Sequence, residues 1–139
     1  MKFGLVGKSI SHSFSKVYFE EKFLKEQKDF SYQNFDLENL NDIREVIKRN
    51  HLSGLNITKP YKRDIIPFLD ELDITAKAID AVNCIKVIWK NNEPYLMGYN
   101  TDHYGFAQSI KPFLEPMHQK ALVLGTGGAS KAVNYALKK

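Results

Sequence analysis

The chain has 139 residues, 43% of them hydrophobic and 12% aromatic, which is enough for one packed core of ordinary domain size. Its formal charge of +4 arises from lysines and arginines scattered among acidic residues, so the clustered basic stripe of a nucleic-acid-binding groove is missing. A modest positive charge instead suits small anionic ligands such as carboxylates and nucleotide phosphates.

Cysteine and histidine usage argues against a disulfide-stabilised protein and against a metalloprotein. Cys84 is the single cysteine, so no disulfide can form within the chain, and its apolar flanks predict a buried thiol. The four histidines lack the short spacings of a metal site, so no bound metal is expected. We find neither a signal peptide nor an apolar run long enough to span a bilayer, and therefore expect no membrane association and a cytoplasmic location.

Strand and helix patterns alternate through the first part of the chain. Residues 3–6 have the pattern of a buried strand, residues 32–37 alternate like a strand, and residues 52–57 fit a further strand. Residues 16–28 and 41–49 between them have the pattern of helices. This βαβαβ order predicts a mainly parallel sheet in an α/β fold.

The middle of the chain predicts two helices and a hairpin. A helix is expected over residues 60–69, because proline is well tolerated in a first helical turn, and another over residues 74–80. Residues 81–89 and 95–99 flank a short polar turn, which indicates a β-hairpin. Its antiparallel pair makes the predicted sheet mixed, and we expect helices on both of its faces.

The last part of the chain predicts the start of a second domain. A helix is expected after Asp102, followed by a buried strand over residues 121–124 and a helix over residues 130–138. We therefore predict a substrate-binding α/β domain over residues 1–102. Residues 103–139 are predicted to form a connecting helix and the first strand, loop and helix of a Rossmann-type domain.

A glycine-rich loop separates this predicted strand from the final helix. Glycines at such a position permit a tight turn and let backbone N–H groups approach a pyrophosphate, although a tight turn without any ligand would have the same pattern. A P-loop is excluded, because it would need glycine at Ser130 and serine or threonine at Ala132. The candidate cofactor-binding residues are Gly125, Thr126, Gly127, Gly128, Ala129 and Ser130.

Polar residues cluster where the third predicted strand ends. Asn56, Thr58 and Lys62 would meet at the sheet edge that normally binds ligands in α/β folds. Taken singly, Thr58 could merely cap the following helix and Lys62 could be a solvated surface amine. Ser15 and Asp102 could likewise cap the helices that follow them. The cluster as a whole favours a functional site.

These residues form motifs that resemble a known family. Residues 56–62 read Asn-Ile-Thr-Lys-Pro-Tyr-Lys, which is similar to the Asn-Val-Thr-x-Pro-x-Lys signature of shikimate dehydrogenases. The family's Ala-Val-Asn-Thr, Asn-Thr-Asp-x-x-Gly and Gly-Ala-Gly-Gly-Ala motifs appear in the same order at residues 81–84, 100–105 and 125–129. The chain thus resembles the substrate domain of that family together with the start of its NADP-binding domain.

The resemblance implies an NADPH-dependent reduction of 3-dehydroshikimate to shikimate. Lys62 and Asp102 would be the catalytic pair, with Lys62 supplying the proton that the nascent alkoxide needs. Ser13 and Ser15 would bind the substrate carboxylate. Thr58, Asn83 and Asp102 would orient its ring hydroxyls. The substrate-binding residues implied in this way are Ser13, Ser15, Asn56, Thr58, Lys62, Asn83 and Asp102.

Some features depart from the family pattern or leave alternatives open. Lys8-Ser9 stands where the family has Asn-Pro, and Lys16 replaces a proline, so the loop that presents Ser13 and Ser15 is expected to be less constrained. A quinate or mixed quinate/shikimate dehydrogenase preferring NAD is an alternative, as is a non-catalytic module that binds small acids. We also expect this chain alone to be an incomplete enzyme.

Overall fold

A computed structural model describes residues 1–138, and one six-stranded mixed sheet lies at its centre in the order β2-β1-β3-β5-β6-β4. The strands are β1 (Lys2–Gly7), β2 (Ser31–Asp36), β3 (Gly54–Ile57), β4 (Glu71–Leu72), β5 (Cys84–Lys90) and β6 (Glu93–Tyr99). β1 pairs in parallel with both β2 and β3, and β4 with β6, whereas β5 is antiparallel to β3 and β6. The predicted mainly parallel mixed sheet is therefore confirmed.

Helices follow most strands in the described residues. The α-helices are α1 (Phe14–Lys25), α2 (Ile43–Asn50), α3 (Ile74–Ile79), α4 (Asp102–Ile110) and α5 (Gly128–Leu137). Two short 3-10 helices span Ile66–Phe68 and Lys111–Phe113. No helix within residues 1–138 combines the length and the apolar character that crossing a bilayer requires.

Apolar side chains cover both faces of the sheet, because successive residues of a strand point to opposite sides. Val6 lies in the larger core with the buried face of α2, including Ile47. Its neighbour Leu5 lies in a second core with Phe23 of α1 and Tyr32 of β2. Helices thus cover the two faces as predicted.

Helix α5 forms a third, smaller core beside the sheet. Its fully buried Ala132 packs against Ile79 at the end of α3 and against Ala81. The ring of Tyr135 meets His103 of α4 edge to face, with centroids 5.3 Å apart. The helix after the glycine loop is therefore packed directly onto the residues that precede the hairpin.

The predicted α-helix over residues 60–69 is wrong. The chain there makes turns, including the bond from the Ile66 N–H to the Arg63 carbonyl, and then the short 3-10 helix. Pro67 explains the difference, because proline lacks an N–H and its ring would collide with the carbonyl of Arg63 in an α-helix. The Lys59–Pro60 peptide bond at the start of the segment is cis.

The predicted strand over residues 121–124 is also wrong. These residues have no regular structure, and Leu122 and Leu124 are 84% and 85% exposed. A strand is stable only when a neighbour pairs with its backbone N–H and C=O groups, and no other part of residues 1–138 pairs with this segment. The final helix does form, and it begins at Gly128 rather than at Ser130.

Candidate active site

Three asparagines, Asn56, Asn83 and Asn100, lie along one edge of the sheet. β3 and β6 end there, and the antiparallel β5 begins there, so that Cys84 is paired with Asn56 on one side and with Tyr99 on the other. Asn83 and Asn100 are the next residues along their strands at the same edge. The mixed topology thus brings residues that are distant in the sequence to neighbouring positions.

The catalytic pair implied by the resemblance is in direct contact at this edge. The Lys62 Nζ lies 2.6 Å from Asp102 Oδ2, and the two side chains are 19% and 31% exposed. The side-chain amide of Asn83 donates to the other oxygen, Asp102 Oδ1, over 2.7 Å. Both carboxylate oxygens therefore have a partner, and Asp102 additionally lies in the first turn of α4, where the helix dipole favours an anion.

Asn83 holds the start of α4 through both ends of its side-chain amide. Its Nδ2 also donates to the Thr101 hydroxyl over 2.9 Å, while its Oδ1 accepts from the Thr101 backbone N–H over 2.8 Å. The hydrogen bonds fix the orientation of Asn83 and, with it, the position of Asp102. The structure shows this bracing role for Asn83, whereas its contact with a substrate hydroxyl stays a prediction.

Asn100 is a supporting residue whose role the sequence did not reveal. It is 4% exposed, its Nδ2 donates to the Ala81 carbonyl over 3.0 Å, and its Oδ1 accepts from the Asp102 N–H over 3.1 Å. Asn100 therefore supplies the capping bond of α4, and the side chain of Thr101 supplies none. Asp102 is left free to pair with Lys62.

Ser13, Ser15 and Thr58 line a second part of the edge. They share a cleft of about 270 Å³ whose wall also includes His12 and Lys59. Ser13 Oγ accepts from the Ser15 N–H over 3.3 Å, so Ser13 caps α1 and the expectation that Ser15 caps it is wrong. The helix begins at Phe14, so Ser15 is its second residue and cannot be the N-cap. The N–H of the second helical residue is a usual donor to an N-cap side chain.

The loop before Ser13 is held firmly although it lacks the family's proline. Both oxygens of Asp36 accept backbone N–H groups, from Ser9 over 2.8 Å and from Ile10 over 3.2 Å. Gly7 is also required, because a Cβ there would lie 2.5 Å from Thr58 Cγ2. The expected loss of constraint at Lys8-Ser9 is therefore offset by Asp36.

Asn56 is oriented by Tyr32, a residue that the sequence reasoning did not include in the site. The Tyr32 hydroxyl donates to Asn56 Oδ1 over 2.8 Å, and the Ser15 hydroxyl lies beside the same phenol. Burial raises the pKa of Tyr32 well above its usual range, so the phenol remains a donor. The alternating pattern of residues 32–37 predicted a strand and gave no indication of this contact.

Cys84 is half-buried rather than fully buried, and it faces an apolar cavity of about 340 Å³ that Asn56 and Tyr32 also line. Burial raises the pKa of the Cys84 thiol above its ordinary value, which keeps it protonated and poorly reactive. Among residues 1–138, no group of three His, Cys, Asp or Glu side chains is arranged to hold a metal ion.

The glycine loop meets the start of α5 in a conformation that suits an anion. Gly125 has φ +120°, which residues with a side chain rarely adopt, and a Cβ on Gly127 would meet no atom within 4 Å. Gly127 precedes α5 and no side chain caps the helix, so the first backbone N–H groups are available to a phosphate. These residues therefore fit a dinucleotide, although the strand expected before them is absent.

The chain matches a known protein family. The family described as shikimate dehydrogenase substrate binding domain matches residues 5–85. The chain belongs to this family. The match covers the sheet edge from Ser13 to Asn83, and Asp102 and the glycine loop lie beyond it.

Relatives of the shikimate dehydrogenase family extend the similarity to the whole chain. The NADP(+) shikimate dehydrogenase of Staphylococcus haemolyticus is 40% identical over 100% of this chain and 52% of its own length. A crystal structure of shikimate dehydrogenase 1 from Peptoclostridium difficile gives a TM-score of 0.87 at 36% identity, covering 99% of this chain and 50% of that one. The chain thus spans about half the length of the curated relatives that it matches.

A further solved structure contains ligands. The shikimate 5-dehydrogenase of Thermus thermophilus, in complex with NADP(H) and shikimate, gives a TM-score of 0.82 at 32% identity, covering 99% of this chain and 52% of that one. The individual roles of the predicted site residues in the present chain stay predictions.

Proposed function

We propose that the chain is the substrate-binding half, with the start of the cofactor-binding half, of an NADP-dependent shikimate dehydrogenase. The contact between Lys62 and Asp102, 2.6 Å long and placed at the sheet edge of a shikimate dehydrogenase substrate domain, carries the proposal. The substrate-binding domain would comprise residues 1–102. Residues 103–139 would link it to the cofactor domain and begin that domain.

The chemistry requires a proton donor beside the reacting ketone. NADPH, when bound, would supply a hydride to the ketone carbon of 3-dehydroshikimate, so that the carbonyl oxygen becomes an alkoxide. The Lys62 ammonium donates a proton to that oxygen and becomes a neutral amine, giving shikimate; in the reverse direction the neutral amine accepts the hydroxyl proton. Asp102 keeps the amine in position through its 2.6 Å contact, and Asn83 keeps Asp102 in position.

The cleft that Ser13, Ser15 and Thr58 line suits the carboxylate of the substrate. The Ser13 and Ser15 hydroxyls can donate to an anion, and Lys59 in the same wall adds a positive charge. Thr58 lines the same cleft, four residues before Lys62 in the chain, and would bind a ring hydroxyl. Asn56, oriented by Tyr32, would bind another. Together these groups would fix the ring with its ketone toward Lys62.

The glycine loop is proposed to hold the pyrophosphate of NADP. Gly125 and Gly127 let the backbone approach the phosphates, and the N-terminus of α5, which begins at Gly128, offers backbone N–H groups to them. Thr126, Ala129 and Ser130 complete the loop.

Substrate binding tests the proposal with this chain alone, because it does not need the other half of the relatives' length. We would titrate the ¹⁵N-labelled chain with shikimate by two-dimensional NMR, alongside Lys62→Met and Asp102→Asn variants whose fold is checked by circular dichroism. We expect saturable shifts near Ser13, Thr58 and Asn83, weakened in both variants.

Two outcomes would contradict this function. A folded chain without shifts at millimolar shikimate would do so, as would shifts of equal size and affinity in the two variants. A parallel titration with quinate separates the alternative specificity, because a quinate dehydrogenase would bind quinate at least as tightly as shikimate.

A further inference from the structure

The start of α5 rests directly on the side chain of Lys62. A Cβ on Gly128 would lie 2.8 Å from Lys62 Cβ, 3.4 Å from Lys62 Cδ and 3.3 Å from Ala81 Cβ. The nearest atom belongs to the root of the lysine side chain, which cannot move without its backbone. The aliphatic stem of Lys62 thus occupies the space that any larger residue at position 128 would need.

The adjacent glycine shows that this requirement is specific to position 128. A Cβ on Gly127 would meet nothing within 4 Å, and its φ of −76° suits any residue. Gly125 is the only glycine in the described residues with positive φ, so the backbone of Gly128 does not demand glycine either. Close contact with Lys62 is the remaining reason for glycine there.

Asp80 ties α5 to the same segment from the other side. Its Oδ2 pairs with Nζ of Lys131, a residue in the first turns of α5. The same oxygen lies 3.0 Å from Nη2 of Arg63, which follows Lys62 in the chain. Asp80 has φ 57° and ψ 44°, a left-handed conformation that aspartate tolerates better than most residues. The carboxylate therefore holds α5 close to the turn that carries Lys62, and buried Ala132 extends the contact.

We propose that Gly128 is a positioning residue for Lys62: the start of α5 forms a wall against the lysine stem that keeps Nζ on Asp102, and Asp80 holds this wall in place. The glycine loop and the proton donor then form one packed unit. A ligand bound at the loop would therefore lie against the residue that contacts the Lys62 stem, Gly128. Calling Lys62 the proton donor rests on the proposed function, whereas the contact itself does not.

The test compares Gly128→Ala with Gly127→Ala in the chain labelled with ¹³C at the lysine ε-carbons, without any ligand. In Gly128→Ala we expect the Lys62 ε resonances to move toward their position in Asp102→Asn. We also expect its amine protons to exchange about tenfold faster, as when one hydrogen bond to a charged group is lost. Gly127→Ala should leave both unchanged.

Asp80→Asn and Lys131→Met keep the test decisive if Gly128→Ala does not fold. Both remove the ionic contact without adding volume, and asparagine tolerates the left-handed conformation of position 80. They should shift the Lys62 resonances in the same direction by a smaller amount.

Unchanged Lys62 resonances in folded Gly128→Ala, or equal changes in Gly127→Ala, would overturn the proposal. If Gly128→Ala does not fold, unchanged Lys62 resonances in both Asp80→Asn and Lys131→Met would overturn it. The shikimate titration of the unaltered chain is read separately, so failure of the proposed function is distinguishable from failure of this inference.

Discussion

Two regions of the chain differ in how they bury apolar segments that have a strand pattern. We call residues 1–100 the sheet-forming region and residues 101–138 the C-terminal region. Leu96 lies in β6 and is fully buried, whereas Leu124 lies in the apolar run of residues 121–124 and is 85% exposed. Both runs have the sequence pattern of a strand. The difference is that β6 has hydrogen-bonded neighbours on both sides and residues 121–124 have none among residues 1–138.

The two regions also contribute differently to the site. The sheet-forming region supplies Lys62, Asn83 and the serine cleft, and its edge is already braced by Asp36 and Tyr32. The C-terminal region adds Asp102 at its first helix and the glycine loop. The substrate half of the site should therefore be formed independently of residues 111–127, and paired substitutions across the two regions test this.

The largest difference is expected between two leucine truncations. Leu96→Ala should lower the free energy of unfolding by about 2–5 kcal/mol, because it leaves a cavity in a closely packed core. Leu124→Ala should change it by less than about 0.5 kcal/mol, since its side chain is already in water. Urea unfolding followed by circular dichroism measures both. Equal losses for the two variants would mean that residues 121–124 are packed in solution.

The sheet could be predicted from the sequence because its strands carry their own pattern and turn signals. The hairpin is an example: Asn91 and Asn92 adopt φ of 50° and 62°, as the two-residue turns favoured in hairpins require. β4 was missed because Glu71–Leu72 has only two residues and exists through its pairing with β6. Short pairings of this kind have no periodicity to detect.

The two wrong elements have different physical causes. Over residues 60–69, Pro67 was a local signal against an α-helix, so the error could have been avoided. Over residues 121–124 the local pattern was correct for a strand, and only the absence of a paired neighbour in the described residues decided the outcome. Sequence patterns thus report propensity, whereas a strand also depends on distant partners.

The sequence predicted the residues of the candidate site that carry its chemistry, but not the residues that hold them in position. Polar residues at strand ends, together with the family resemblance, indicated Lys62 and Asp102, which are 2.6 Å apart in the structure. The bracing by Asn100 and Tyr32 depends on long-range contacts between strands and helices, and neither residue type is unusual at its position. Such contacts cannot be deduced from one sequence.

A second pair of substitutions compares two glycines. Gly4→Ala in β1 should destabilise the chain by about 1–3 kcal/mol through overpacking. Its Cβ would lie 2.6 Å from the Gln33 carbonyl oxygen, which is fixed in β2. A Cβ added at Gly105 in α4 would meet no atom within 4 Å. Gly105→Ala should therefore stabilise the chain by up to about 1 kcal/mol, because alanine has the higher helix propensity. Thermal unfolding of both variants gives the sign, and a destabilising Gly105→Ala would contradict the exposed placement of α4.

A third pair compares two tyrosines. Tyr32→Phe removes the donor to Asn56 and should cost about 1 kcal/mol of stability, with weaker shikimate binding in the NMR titration. Tyr104→Phe, at a side chain that is 63% exposed, should change neither quantity. If Tyr32→Phe lowers stability but leaves shikimate affinity unchanged, Tyr32 supports only the core, and Asn56 does not depend on it for binding.

The smallest expected effect concerns Asp80, which joins the two regions. The Lys131 ammonium, through its hydrogen bond, and then Arg63 hold the pKa of the Asp80 carboxyl below its ordinary value of 3.8. A group with a lowered folded-state pKa stabilises the fold above its unfolded pKa, and this contribution disappears as the pH falls through the folded-state value. The carboxylate is 50% exposed, so its contribution should stay below about 1 kcal/mol.

Asp80→Asn should therefore be slightly less stable than the unaltered chain at neutral pH, and the difference should shrink as the pH is lowered below about 4. Urea unfolding at a series of pH values measures this difference. Lys131→Met is the matched control, because it removes the main cause of the lowered pKa while leaving the carboxylate in place, and it should weaken the same pH dependence. A stability difference between Asp80→Asn and the unaltered chain that is constant from neutral to acidic pH would show that the Asp80 carboxylate does not pair with α5 in solution.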